Sequence, residues 1–250
     1  MDREGIYFFH IPKTAGMSVW HFLEQAFPPD EICPWWLWDQ LITVPREELG
    51  KWRVFRGHFL SHLEPYLGKP LATFTFLRDP LERSISHYCH VRRDPNHPYH
   101  SHAVQMSLAE FCVQPETRHM IENYQAVYLA NSPRDPMSVA GDLSPERLAQ
   151  FELQVRLEHP DGILNPATLF EHAKARLASF FAIGCTEDFV NSVKKISYAF
   201  HRTPPVSIDR QNVNPEPLSS ANLDSATRSL IRNLTEVDRR LYEWAISQLS

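Results

Sequence analysis

The sequence predicts an α/β fold in a single domain, residues 1–250, built on a central, mostly parallel sheet flanked by helices. Three observations predict it. Two short runs, Ile6-Tyr7-Phe8-Phe9 and residues 71–77, are apolar at nearly every position, which suits strands buried on both faces. Each run passes through a tight loop into the first turn of a helix. Segments with helical periodicity fill the intervals, and strands that alternate with helices imply βαβ units around a parallel sheet.

The first strand is expected over residues 5–11. In the helix that follows, Val19, Phe22, Leu23, Ala26 and Phe27 share one face, and Pro28-Pro29 ends it. Residues 30–50 read as irregular and aromatic-rich (Trp35, Trp36, Trp38). Strands are expected over 52–59 and 71–77. At Asp79 the helix-start cues coincide: Asp79 as N-cap, Pro80 at the first helical position and Glu82 to complete a capping box. Helices are then expected over 108–113, 118–129, 145–157 and 166–178, the last capped by Asn165. A strand over 180–184, a helix over 189–200, a Pro- and Asn-rich loop over 203–220 and an amphipathic helix over 228–249 complete the chain.

Hydrophobic residues make up 43% and the formal net charge is −5. That suits a globular domain and argues against a general nucleic-acid binder, which is normally basic. It also argues against a long polyanionic glycan as substrate unless cations gather locally. The four cysteines, Cys33, Cys89, Cys112 and Cys185, form no C-x-x-C pair and read as reduced, buried thiols. With no leader peptide and no membrane-spanning run in the sequence, the expected location is cytoplasmic and no membrane span is expected.

The two strand-to-helix loops carry the chemistry. Ligands of parallel sheets bind beyond the carboxyl ends of the strands, and both loops lie there. In the first, the amides of Thr14, Ala15, Gly16, Met17 and Ser18 are expected at a helix start, where unpaired N–H groups and the helix dipole attract anions. Lys13 adds a charge, and Thr14 and Ser18 add hydroxyls. The order of residues departs from the Walker A pattern, because Lys13 precedes the glycine. Alone, this loop also fits a surface turn with a solvated lysine. In the second, Arg78 ends a strand and Ser86 lies two turns into the next helix, together suited to gripping a second phosphate. Alone, Arg78 also fits a helix start in which it pairs with Glu82 or Asp79.

Taken together, the motifs resemble the sulfotransferases that use 3′-phosphoadenosine-5′-phosphosulfate (PAPS). The resemblance is to the branch with the carbohydrate (heparan-type) 2-O- and 6-O-sulfotransferases and their bacterial relatives. His10-Ile11-Pro12-Lys13-Thr14-Ala15-Gly16 resembles that branch's 5′-phosphosulfate loop. Leu77-Arg78-Asp79-Pro80, with Arg83 and Ser86-His87-Tyr88, resembles its 3′-phosphate signature. Residues 183–189, Asn212-Val213-Asn214 and Asp238-Arg239-Arg240-Leu241-Tyr242 resemble later parts of the family. Met17 departs from it, standing where relatives often carry threonine.

The resemblance implies a P-loop-NTPase-like three-layer fold, PAPS as donor, the bisphosphate PAP as product and no required metal. It implies that Lys13 meets the 5′-phosphosulfate near the bridging oxygen and that Arg78 and Ser86 hold the 3′-phosphate. It makes His58, after the second strand, the general base for a hydroxyl acceptor: a saccharide, a lipid or a metabolite. Gly57 is expected to let the backbone approach that acceptor. Two other readings are a nucleotide-dependent, kinase-like phosphotransferase and a nucleotide-binding module without catalysis. The histidines at 87, 90, 97, 100 and 102 fit either an acceptor-lining loop or a surface loop. Trp35, Trp36 and Trp38 fit either acceptor stacking or core.

Overall fold

In a computed structural model the described residues are 5–60, 63–130, 165–205 and 218–248. Among the described residues four parallel strands form the sheet in the order β2-β1-β3-β4: β1 (Ile6–Phe9), β2 (Val54–Gly57), β3 (Ala72–Leu77) and β4 (Ala182–Cys185). β1 pairs with β2 through Phe8 opposite Arg56 and with β3 through Phe8 opposite Phe74.

Both faces of the sheet are covered, which explains why the strands lack polar alternation. Tyr7 and Phe9 point into a core with Phe55, Phe59, Leu129, Leu177 and Leu241. Ile6 and Phe8 point into the other, with Val19, Phe22, Phe74, Phe76 and Phe189. Helix α1 (Gly16–Ala26) follows β1. The short helices α2 (Trp38–Leu41), α3 (Arg46–Leu49) and α4 (Leu63–Leu67) flank β2 in sequence. Helix α5 (Pro80–Arg93) leaves β3 and packs with α6 (His100–Gln105), α7 (Leu108–Val113) and a following helical turn, α8 (Pro115–Arg118), around a third core of Leu81, Ile85, Tyr88, Phe111 and Ile121. Then come α9 (Tyr124–Ala130), α10 (Pro166–Ser179), α11 (Phe189–Ala199), α12 (Ser225–Leu234) and α13 (Glu236–Gln248). The result is the expected α/β architecture of helices around a parallel sheet, consistent with a three-layer P-loop-type fold.

Strand order places the site. The chain leaves β1 toward β2 on one side, whereas it leaves β3 toward β4 on the other. The crevice between the carboxyl ends of β1 and β3 is therefore the switch point where such sheets bind ligands. The Lys13 loop follows β1, and Arg78 follows β3.

Several expectations are corrected. The helix expected over 118–129 forms only from Tyr124: α8 ends at Arg118, residues 119–123 are turns, and Asn123 adopts a left-handed φ of 42° just before α9. The helix over 228–249 is two, α12 and α13. They part at Thr235, whose φ is −115° and whose hydroxyl donates back to the Ile231 carbonyl. Residues 30–50 are not wholly irregular: a 3₁₀ turn, α2 and α3 lie there, with Trp38 buried in the core. Trp36 is 40% exposed. The expected helix over 145–157 lies outside the described residues, as does Asn212-Val213-Asn214 with most of the 203–220 loop.

Candidate functional site

The first loop is shaped by two left-handed residues, Lys13 at φ 74° and Ala15 at φ 65°, on either side of Thr14. Such alternation turns successive N–H groups toward one concavity. The first helical bond runs from the Val19 N–H to the Ala15 carbonyl. The amides from Lys13 to Met17 have no acceptor among the described residues, so they are the open donors of the α1 N-terminus. Gly16 is required by packing: a Cβ there would stand 1.9 Å from His10 Nε2. Met17 lies at the lip, 49% exposed. Thr14 corrects an expectation. Its side chain is buried and its hydroxyl donates to the Ile11 carbonyl at 2.8 Å, so it braces the loop and is not a donor to a ligand. Ser18 is buried as well.

The second loop meets the first directly. Arg78 Nη1 donates to the Lys13 carbonyl at 3.4 Å. Glu82 places a carboxylate oxygen 3.9 Å from its Nη2. Asp79 caps α5 by accepting the Glu82 N–H at 3.0 Å, but the reciprocal arm of the capping box is absent. Glu82 instead accepts the Ser220 N–H at 3.3 Å, and the Asp79 N–H donates to Glu187 at 3.1 Å. Ser86 is half-buried on α5, and no hydrogen bond from it is formed among the described residues.

Beneath the two loops lies Arg83, 1% exposed. It donates through Nε to the Pro12 carbonyl at 3.3 Å and through Nη1 to the Met120 carbonyl at 2.9 Å. Its Nη2 lies 3.2 Å from His87 Nδ1, and its guanidinium lies 3.9 Å from the centre of the Tyr124 ring. Burial lowers its pKa to about 10. Lys13 stands in this field. Its ammonium is lowered to about 8, by burial first and then by Arg93, Arg78 and Arg83. No carboxylate pairs with it among the described residues. Burial keeps His87 well below the ordinary histidine range and pushes His90 down to about 4, so both are neutral at pH 7. The centre thus gathers Lys13, Arg78, Arg83 and Arg93 around a bed of open amides, with Glu82 beside Arg78 and Asp238 acting on Arg83.

One helix ties the parts together. The Arg78 main chain is gripped at both ends by Gln125: its N–H donates to Oε1 at 3.1 Å, and Nε2 donates to its carbonyl at 2.9 Å. The start of α9 is in turn capped by Asp238, whose carboxylate accepts the Gln125 and Ala126 N–H groups at 3.1 and 2.7 Å. Asn123 returns the favour, accepting the Val237 N–H at 2.9 Å. Burial raises Asp238 to about 6.

His58 follows β2. Its Nδ1 lies 3.0 Å from the Tyr128 hydroxyl, and its ring lies 4.6 Å from that of His10. His10 is buried, and that burial holds it well below the ordinary range, helped by His58 and Lys13. His10 therefore stands between Lys13 and His58 as a neutral ring. Gly57 corrects another expectation: the space a Cβ would need is taken by the Trp36 backbone, with the Trp36 carbonyl 2.4 Å away, and not by room for an acceptor. The Trp36 carbonyl also accepts the His58 N–H at 2.9 Å.

Lys13, Arg78 and the α1 amides are thus brought together, with His58 joined through His10. Sequence reasoning missed Gln125, Tyr128 and Arg93, and it quoted His10 in the first loop's motif without giving it a role. Among the described residues no three His, Cys, Asp or Glu side chains converge as a metal-binding group, and no helix is long and apolar enough to cross a membrane. No protein-family model matches the sequence, and no curated protein is significantly similar to it.

Proposed function

We propose that the chain is a sulfotransferase that moves a sulfuryl group from PAPS to an acceptor hydroxyl. One observation carries this reading. Lys13 is held among Arg78, Arg83 and Arg93 with no carboxylate paired to it among the described residues, beside the open amides of α1. Uncompensated buried cations cost stability, and a ligand with two anionic groups offsets that cost. A nucleoside carrying phosphates on two ribose carbons has that character. A magnesium triphosphate is the poorer match, because the loop order is not Walker A.

Sulfuryl transfer resembles phosphoryl transfer, a loose in-line displacement in which the protein positions the reactants and neutralises developing charge. In the proposed reaction the acceptor O–H gives its proton to His58. The acceptor oxygen bonds to sulfur as the bond from sulfur to the 5′-phosphate oxygen breaks. The electron pair left on that phosphate meets Lys13 and the amides of Ala15, Gly16 and Met17. Arg78 and Ser86 hold the 3′-phosphate. The acceptor is a saccharide, lipid or metabolite, and the reaction needs no metal. A cytoplasmic site of action belongs to the same proposal, on the strength of four buried cysteines that form no disulfide.

The test is transfer of label from PAPS, carrying the label in its sulfuryl group, to a panel of hydroxyl acceptors. His58→Ala is expected to abolish transfer while leaving bisphosphate affinity nearly intact. Equal loss of both contradicts the base assignment.

A further inference from the structure

His58 is held from two sides. The His10 ring lies against it at 4.6 Å with the planes 30° apart, and Tyr128 reaches its Nδ1 at 3.0 Å. Tyr128 is itself fixed. Its ring stands edge-on to Phe9 at 5.6 Å and stacks on Tyr124 at 5.8 Å. The helix that carries it is anchored by Asp238 at its first turn. The phenol is thus presented by the packed core and not by a loose surface loop.

A neutral imidazole has one protonated nitrogen and one basic nitrogen, and the partner of one decides the role of the other. With Nδ1 against the phenol oxygen, Nε2 is the nitrogen that must take the acceptor's proton. That requires the Nδ1–H tautomer, in which Nδ1 donates to the phenol oxygen 3.0 Å away. We propose that Tyr128 is a positioning residue for His58, fixing the tautomer in which Nε2 is the base and steadying the imidazolium formed during transfer.

This rests on the reading of His58 as the base. The step balances: the acceptor O–H bond breaks and its proton goes to Nε2. An O–S bond forms as the S–O bond to the phosphate breaks, and the electron pair stays on the phosphate. The Nδ1–H proton does not move. Among the described residues, the titratable groups facing His58 include His10 and, beyond it, Lys13 from the β1 loop, and Tyr128 from α9. His10 is neutral, so it places no rival charge against the imidazolium.

Tyr128→Phe keeps the ring contacts to Phe9 and Tyr124 and removes only the oxygen. Imidazole nitrogen NMR on the full chain, with His58 assigned by its loss in His58→Gln, reads the tautomer directly. The expected result is an excess of the Nδ1–H form in the wild type, lost in Tyr128→Phe, with PAP affinity unchanged. With an acceptor in hand, turnover falls about tenfold while the donor KM holds, the size expected for one hydrogen bond to a charged group. A wild-type His58 protonated on Nε2, or a tautomer unmoved by Tyr128→Phe, overturns the proposal. If PAP binds neither protein, the sulfotransferase reading fails, and the tautomer still decides the role of Tyr128.

Discussion

Lys13→Met replaces the ammonium with an unbranched apolar chain of similar length and leaves the left-handed backbone at residue 13 no more strained than before. Lys13 drops from 10.5 to about 8 because burial and the neighbouring guanidinium groups oppose its charge. At 1.36 kcal/mol per pKa unit, holding it charged costs the ligand-free protein about 3 kcal/mol at pH 7. Removing the charge is therefore expected to raise the melting temperature of the free protein by several degrees. The same change should abolish stabilisation by the bisphosphate, so the site gains stability by losing function. The pH dependence carries a second signature. Below about pH 8 both folded and unfolded states hold the Lys13 proton and the full cost is present. Between about 8 and 10.5 the unfolded state binds more protons, so this group makes stability rise with pH. Lys13→Met should lack that rise. Thermal unfolding across pH 7–10.5, with and without PAP, is the assay. A destabilised free Lys13→Met protein, or one still stabilised by PAP to the wild-type extent, would refute the reasoning.

Gly16→Ala forces a methyl group to within 1.9 Å of His10 Nε2, with the ring boxed in by His58. It should destabilise the protein by about 1–3 kcal/mol, as overpacking does, read by urea unfolding. Gln125→Leu frees both ends of the Arg78 main chain and should weaken PAP binding about tenfold by calorimetry, leaving the His58 tautomer unchanged. Asp238 is raised to about 6, above its ordinary 3.8, so the folded state holds the extra proton between those values. This carboxyl's contribution to stability is present at low pH and declines as pH rises through that window, whereas Asp238→Asn should not show the decline in unfolding measured from pH 4 to 6.5.

The strands and the two loops were legible because their signals are local. The unbroken apolar run of β1 requires two covered faces, and Asp79-Pro80 states a helix start in adjacent residues. Strand order then gave the crevice its place. What escaped is what distant segments supply. Gln125 holds Arg78 across 47 residues of chain and Asp238 caps α9 across more than a hundred, and neither pattern is periodic. Breaks at Asn123 and Thr235 escaped for a related reason: both residues tolerate helix and turn alike, and a side-chain hydrogen bond decided, to distant Val237 for Asn123 and back to Ile231 for Thr235. Thr14 shows a different limit. Composition put a hydroxyl in the loop, but the left-handed residues on either side aim it inward.

Thermal-shift titration of the intact protein with PAP, and in parallel with ATP plus magnesium, tests the central claim most directly. The Lys13 ammonium, which no carboxylate pairs among the described residues, and the open amides of α1 beside the β1–β3 crevice predict a large, saturable rise in melting temperature with the bisphosphate and a much smaller one with ATP–magnesium. Equal or greater stabilisation by ATP–magnesium, or none by PAP, would contradict it.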